Sequence, residues 1–219
     1  MSGERCSIHR GGSQGAASSL EGPDDDYAIL RQALRRIAHL PDEEFEYLCQ
    51  WAESKSYSAG HTLIEIGAPP SRFWFLISGF LRFFYVNESG REYNKAFSRP
   101  GEIVVPLSAA LAGEPNSFVI AAVTDARTLV FPTSLIPTLY DRHRAWERIG
   151  RVLAEQMAIR KEARERELLL DSAYVRFQRF AGRYPELVDW IPQRQIASYI
   201  GVTEQALSRL LRTWRERTP

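Results

Sequence analysis

The middle of the chain, residues 56–132, alternates short apolar or β-branched runs with turn residues, and this limits the fold more than any other feature. The runs lie at residues 62–66, 73–77, 80–86, 91–97, 102–105, 117–123 and 128–131. Gly60, Pro69-Pro70, Gly79, Asn87 to Gly90, Gly101 and Gly113 to Asn116 stand between them, as expected where a chain reverses direction. Short strands so spaced pair as an antiparallel sandwich or roll, since a parallel sheet needs a crossover helix between strands. Asn87-Glu88-Ser89-Gly90 marks the clearest hairpin, because Asn and Gly accept the positive φ of a tight turn.

Both flanks change to a helical period. Residues 1–25 are rich in Gly, Ser and Asp and have little to bury, so a disordered tail is expected. Ile29, Leu30, Leu34, Ile37 and Leu40 then recur at three- and four-residue steps, and Asp42 stands where an N-cap would precede Phe45, Leu48 and Trp51. After Pro137 a stretch from about Asp141 to Leu170 holds no proline and one glycine, Gly150, which predicts one long helix. Ile149, Val152, Gln156, Ile159 and Ala163 follow a 3-4-3-4 stepping along it, the seam of a helix paired with a second copy. A helix packed only on its own roll would also use such a stripe. Trp146, Leu153 and Met157 form a second stripe, so one can face the roll and the other a partner.

Residues 191–215 read IPQRQIASYIGVTEQALSRLLRTWR. Ile196, Ala197 and Ile200 share one helical face. Gly201 then permits a left-handed turn, Val202 fills the corner, and Thr203 is suited to cap a second helix. Ala206, Leu207, Leu210 and Leu211 point inward on that second helix, leaving Glu204, Gln205, Ser208 and Arg209 outward. This is the pattern of a helix-turn-helix, whose second helix enters the major groove of double-stranded DNA. Arg209 can engage guanine and Gln205 adenine, while Thr203, Ser208 and Arg212, followed by Arg215 and Arg217, can meet phosphates. A helical hairpin with a solvated charged face gives the same text.

Charge agrees with a nucleic-acid-binding end. From Arg142 onward there are 16 Lys or Arg against 10 Asp or Glu, a net of +6, and the preceding part carries −5. A near-neutral total of +1 thus conceals a basic C-terminal part on an acidic one. Chance and solvated helix faces could produce the same split. Two cysteines, Cys6 and Cys49, are too few for a disulfide framework or a four-ligand metal site. No run approaches a membrane span and no secretory signal is visible, so a cytoplasmic protein is expected, with no membrane partner. His9, His39, His61 and His143 are scattered, and neither a Gly-rich phosphate loop nor a nucleophile elbow appears, so no enzymatic chemistry is expected.

Over about residues 56–215 the chain resembles the catabolite-activator and fumarate-nitrate-regulator (Crp-Fnr) family of bacterial transcription regulators. The likeness is carried by SAGHTLIEIGAPPSRFWFLISGFLRFFYVNESGRE, RPGE at Arg99 to Glu102, LAEQMA at Leu153 to Ala158 and QIASYIGVTEQALSRLL, in that order. It implies an α+β chain: a jelly-roll-like β-roll sensor over residues 26–140, a dimerisation helix over 141–170 and a helix-turn-helix domain over 171–219. By position, Glu204, Gln205 and Arg209 fall where the family reads bases, and a homodimer on two-fold symmetric DNA, with RNA polymerase as a further partner, is what the family implies.

The chain departs from that pattern in two places. Where cyclic-AMP-binding members carry Gly-Glu-Leu and Arg-Ser, this sequence has Val105-Pro106-Leu107 and Asn116-Ser117, and the positions that meet the purine become Arg164 and Glu165. With the ribose carboxylate and the phosphate arginine gone, cyclic AMP is not expected as the effector. These positions, Val105, Pro106, Leu107, Asn116, Ser117 and Arg164, are candidates for lining a different effector's pocket. An iron-sulfur cluster needs more thiolates than Cys6 and Cys49, and haem is not expected on His61 or His143. The sequence also ends soon after Arg212, so the β-hairpin wing that follows the recognition helix in the family is expected to be missing. Two functions stay open on this text: a dimeric DNA-binding regulator that senses either an unidentified small molecule or nothing, or a ligand-binding or protein-interaction roll whose C-terminal unit has lost DNA binding.

Overall fold

A computed structural model of the chain describes residues 23–217. The tail expected over residues 1–25 lies outside them up to residue 22, while residues 23–25 open the first helix, α1 (Pro23–Arg35). After α2 (Asp42–Cys49) come β1 (Glu53–Tyr57), β2 (Thr62–Ile64), β3 (Arg72–Ser78), β4 (Leu81–Val86), β5 (Glu92–Ser98) and β6 (Ile103–Val104). A short helix α3 (Leu107–Ala112) separates these from β7 (Val119–Ala122) and β8 (Ala126–Pro132). The remainder is helical: α4 (Leu135–Arg142), α5 (Arg144–Leu170), α6 (Ala173–Arg183), α7 (Pro185–Val188), α8 (Gln193–Ile200) and α9 (Glu204–Arg217).

The strands form two antiparallel sheets, in the orders β1-β8-β3-β6 and β2-β7-β4-β5, the α+β roll that the alternating text implied. Strand β3 shows why the roll holds its place. Trp74 and Leu76 point between the sheets, onto Val104, Ile120 and Val130. Phe73, Phe75 and Ile77, on the opposite face, meet Leu30, Leu34, Phe45 and Trp146 of the helices. A strand buried on both faces reads as an unbroken apolar run, which is what residues 73–77 are. Phe73 stacks on Phe131 of β8 with ring centroids 4.9 Å apart.

Several local expectations are corrected. Asp42 is the first residue of α2 rather than its cap, and Pro41 precedes it without a side-chain cap bond. The Asp42 carboxylate instead pairs with Arg31 at 2.9 Å and Arg35 at 3.2 Å. The single helix expected from Asp141 is two helices. His143 is extended at φ −156°, and its Nδ1 accepts a hydrogen bond from the Ala145 N–H at 3.1 Å, capping α5. Pro137 does not mark the boundary, because it sits in the first turn of α4, where proline costs no hydrogen bond. Strand β1 is polar and partly exposed, and α3 follows a proline; neither was expected from the sequence.

Glu44 fastens these helices to one another. It is buried, accepts two hydrogen bonds from Arg142 at 2.9 and 3.1 Å, and a third from Trp146 Nε1 at 3.0 Å.

Candidate nucleic-acid interface and ligand cavity

At the C-terminal end, α8 stops at Gly201, which takes φ 73° and ψ 43°. A left-handed residue without a Cβ lets Val202 N–H reach back to Ala197 O at 3.0 Å and turns the chain sharply into α9. Thr203 Oγ1 accepts a hydrogen bond from Ala206 N–H at 3.2 Å, the cap expected of it. Ile196, Ala197, Ile200, Leu207 and Leu211 are buried with Phe177 and Phe180 of α6, while Ala206 and Leu210 are half-buried. Trp214 meets the Phe177 ring edge-on at 5.5 Å. On the opposite face Thr203, Glu204, Gln205, Ser208, Arg209 and Arg212 are all exposed. Arg209 lies along its own helix, its Nε 3.4 Å from Gln205 O, and must swing outward to reach a base.

This helical unit rests on the roll. Asn94 of β5, only 6% exposed, donates its N–H to Ser198 Oγ at 2.8 Å and its Nδ2 to Gln195 O at 2.9 Å, and Ser198 Oγ donates to Glu92 O at 3.1 Å. Phe97 enters the helical core, against Phe180, Tyr184 and Tyr199 at 5.5–5.9 Å. The β4–β5 hairpin therefore lies beside the start of α9, and Gly90 and Arg91 share an open groove of about 550 Å³ with Arg194, Thr203 and Gln205. Arg91 and Arg194, both exposed, add charge beside the candidate reading face. Sequence reasoning passed over both, since neither belongs to the amphipathic pattern of α9.

Of the pocket candidates, Val105, Leu107 and Arg164 line one cavity of about 390 Å³ between the roll, α5 and the helix-turn-helix unit. Pro106 is buried at the start of α3. Asn116 is elsewhere: it is 1% exposed, exchanges backbone hydrogen bonds with Gly67 and Ala68, and gives its Nδ2 to Glu65 O and Phe118 O. Its role there is to pin the β2–β3 loop. Ser117 is exposed and does not line the cavity. The cavity wall instead includes residues the sequence did not nominate, among them Lys95, Phe118, Arg183 and Tyr199.

Along α5, Ile149 is buried in the core beneath the roll, so it is removed from the partner-facing stripe expected for it. Val152 and Ala163 are half-buried, and Gln156 and Ile159 are exposed, Ile159 by 66%. Cys49 is partly buried, and burial pushes its thiol up to about 11; Cys6 lies outside the described residues. His61 lies against Tyr57, ring centroids 5.2 Å apart. Among the described residues no group of three or more His, Cys, Asp or Glu side chains could hold a metal ion, and no helix is long and apolar enough to cross a membrane.

Residues 54–143 match the cyclic nucleotide-binding domain family. FixK2 from Bradyrhizobium japonicum superposes with a TM-score of 0.67 at 18% identity, over 76% of this chain and 85% of its own. A Eubacterium rectale protein assigned to the Crp/Fnr family gives 0.67 at 12% identity, over 81% of this chain and 85% of its own. The chain has the Crp/Fnr fold. The c-di-GMP-responsive global regulator CLP of Xanthomonas campestris is similar as well, with a TM-score of 0.63 at 14% identity over 81% of this chain and 93% of its own. No curated protein sequence matches. In the Crp/Fnr fold the roll, the long helix and the helix-turn-helix unit follow one another as they do here, which is why the likeness extends well past the domain match.

Proposed function

We propose that this chain is a sequence-specific DNA-binding transcription regulator that acts as a homodimer and is gated by a small effector. The observation that carries the reading is the face of α9. Its buried side is fixed by Leu207 and Leu211, its start by Gly201 and Thr203, and what remains outward is Glu204, Gln205, Ser208, Arg209 and Arg212. A rigid helix showing Arg and Gln from its first turns suits bidentate contacts to guanine and adenine, and Arg194, Arg212 and Thr203 suit phosphates. Dimerisation through Val152, Gln156, Ile159 and Ala163 of α5 would place two such helices on a two-fold axis, matching half-sites about one helical turn apart. A DNA-binding role of this kind would be carried out in the cytoplasm.

The seating of α8 on β5 supports effector gating in particular. The hairpin at Gly90 and Arg91 stands beside Thr203 and Gln205, so a groove-bound α9 has to share its N-terminal space with the roll. A shift of the roll against α5 changes that crowding, which gives an effector two states to distinguish. The test is a fluorescence anisotropy titration of labelled duplex with the full chain at low salt, repeated as salt is raised. Binding that weakens steeply with salt is expected, since neutralised phosphates release counterions. A folded protein that fails to bind at about 50 mM salt would mean that the C-terminal unit does not read DNA.

A further inference from the structure

Strand β5 is the outer strand of its sheet, in the order β2-β7-β4-β5. An edge strand leaves a row of backbone groups unpaired, and here α8 covers part of that row in place of another strand. Ser198 Oγ accepts from Asn94 N–H at 2.8 Å and donates to Glu92 O at 3.1 Å, while Gln195 O accepts from Asn94 Nδ2 at 2.9 Å. The β4–β5 hairpin is thereby tied to the first helix of the helix-turn-helix. Its own turn is closed as firmly. Gly90 takes φ 78° and donates its N–H to Asn87 O at 2.9 Å. Asn87 N–H reaches Arg91 O at 3.1 Å, and Asn87 Oδ1 accepts from Arg91 N–H at 2.9 Å. Arg91 therefore stands on a fixed base, its guanidinium carbon 5.2 Å from the centre of the Tyr93 ring.

Charge is uneven in the groove that the hairpin makes with α8 and the start of α9. Arg91 and Arg194 line it together with Glu92 and Glu204. The Glu92 carboxylate is already engaged by Arg82. Arg91 and Arg194 are both exposed, and neither forms an ion pair with a described residue. Two unpaired guanidinium groups, one from the roll and one from α8, thus open onto a groove that also holds Thr203 and Gln205 of the candidate reading face. Glu204 is the one carboxylate left there to oppose them.

We propose that the roll itself helps to hold the duplex: Arg91 of the β4–β5 hairpin and Arg194 of α8 seat a sugar-phosphate strand beside the major groove that α9 enters. This rests on the reading of α9 as the DNA-reading helix, and it adds a contact from outside the helix-turn-helix unit. In such a unit the first helix crosses the DNA backbone while the second enters the groove. The helix that crosses the backbone here is α8, and the hairpin is bonded to it, so both arginines come to the phosphates together. A guanidinium fork suits phosphate oxygens, with charge-assisted and often bidentate hydrogen bonds. The turn that carries Arg91 is preformed, so little ordering is lost on binding. Because the two arginines belong to different parts of the chain, a strand held by both preserves the seating of α8 on β5. A roll displaced from α8 carries Arg91 away and loses the contact, and the coupling acts equally in both directions.

The test is duplex binding by the full chain, followed by fluorescence anisotropy over a series of salt concentrations, for wild type, Arg91→Gln and Arg91→Lys. Arg91→Gln is expected to keep the wild-type melting temperature, since backbone atoms and Asn87 hold the turn. It should weaken binding several-fold on every duplex sequence alike. The slope of log affinity against log salt should become shallower by about 0.9 per chain, and Arg91→Lys should restore it. Arg194→Gln, across the groove, is expected to act as Arg91→Gln does. Replacing backbone phosphates one at a time with neutral methylphosphonate then locates the partner. At one position the replacement should weaken the wild type and leave Arg91→Gln unaffected; a scan without such a position would overturn the proposal. Unchanged affinity and salt slope in Arg91→Gln would overturn it as well. So would tighter binding, which would make the hairpin an obstacle to the duplex and not a contact. Where the wild type binds DNA, these outcomes remove this proposal alone. A wild type that binds no duplex would remove with it the reading on which it rests.

Discussion

Gly201 and Arg209 illustrate how much a single position can be asked to do. At φ 73° with Leu168 Cδ2 3.4 Å from where a Cβ would stand, Gly201 is held in a conformation that costs an L-residue about 1–2 kcal/mol. Gly201→Ala is therefore expected to lower the melting temperature by several degrees, read by circular dichroism, and to weaken DNA binding because α9 is re-aimed. Arg209 is exposed and spends its side chain on its own helix, so Arg209→Ala is expected to leave the melting temperature unchanged. In a selection of bound duplexes it should relax preference at one base-pair position, by about 1–3 kcal/mol of discrimination, rather than weaken all sequences equally. Both residues were legible in the sequence, because an amphipathic period with a Gly-Val-Thr break exposes its own geometry. Asn94 was not. An asparagine beside a hairpin reads as solvated turn chemistry, and its partners Gln195 and Ser198 lie about a hundred residues away, beyond any local pattern.

Helix α5 shows the limit of reading a stripe. The 3-4-3-4 spacing was real, yet its first member, Ile149, is taken by the roll's own core, since periodicity says which residues share a face and not what covers it. From Val152 onward the stripe is less covered, and Ile159, 66% exposed, is where a partner helix would bury the most apolar surface. Ile159→Asp is expected to convert a dimer into a folded monomer in size-exclusion chromatography with light scattering; a variant that stays dimeric would remove α5 from the interface. The joint between α2, α4 and α5 carries a different prediction. Burial pushes the Glu44 carboxyl up, but hydrogen bonds from Arg142 and Trp146 together with the Arg142 charge outweigh it, so the group sits below its ordinary value of 4.5. A carboxylate lowered in the folded state contributes stability that is present above about pH 4.5 and is lost as pH falls through the folded value. Wild type and Glu44→Gln are thus expected to differ in melting temperature at pH 7, and the gap should narrow as pH drops below 4.5.

The chain as one object joins the roll to a basic helical end, residues 1–141 carrying −5 and residues 142–219 carrying +6, with the two parts in direct contact through β5 and α8. The roll, the long helix and the helix-turn-helix were legible in order, because hydrophobic period and turn chemistry are local. The seating of one part on the other was not, since it depends on Phe97 leaving the roll to join the core of Phe180, Tyr184 and Tyr199. That contact makes the orientation of α9 a property of the roll. Arg164 and Arg183 stand at the same junction, each hydrogen-bonded to Tyr199. The central claim, that α9 of a two-fold dimer reads DNA sequence, is tested most directly by incubating the full chain with random duplexes, recovering the bound fraction through repeated rounds and sequencing it. The account predicts a two-fold symmetric consensus with half-sites about one helical turn apart. A folded dimer that enriches no sequence over the starting pool would contradict it.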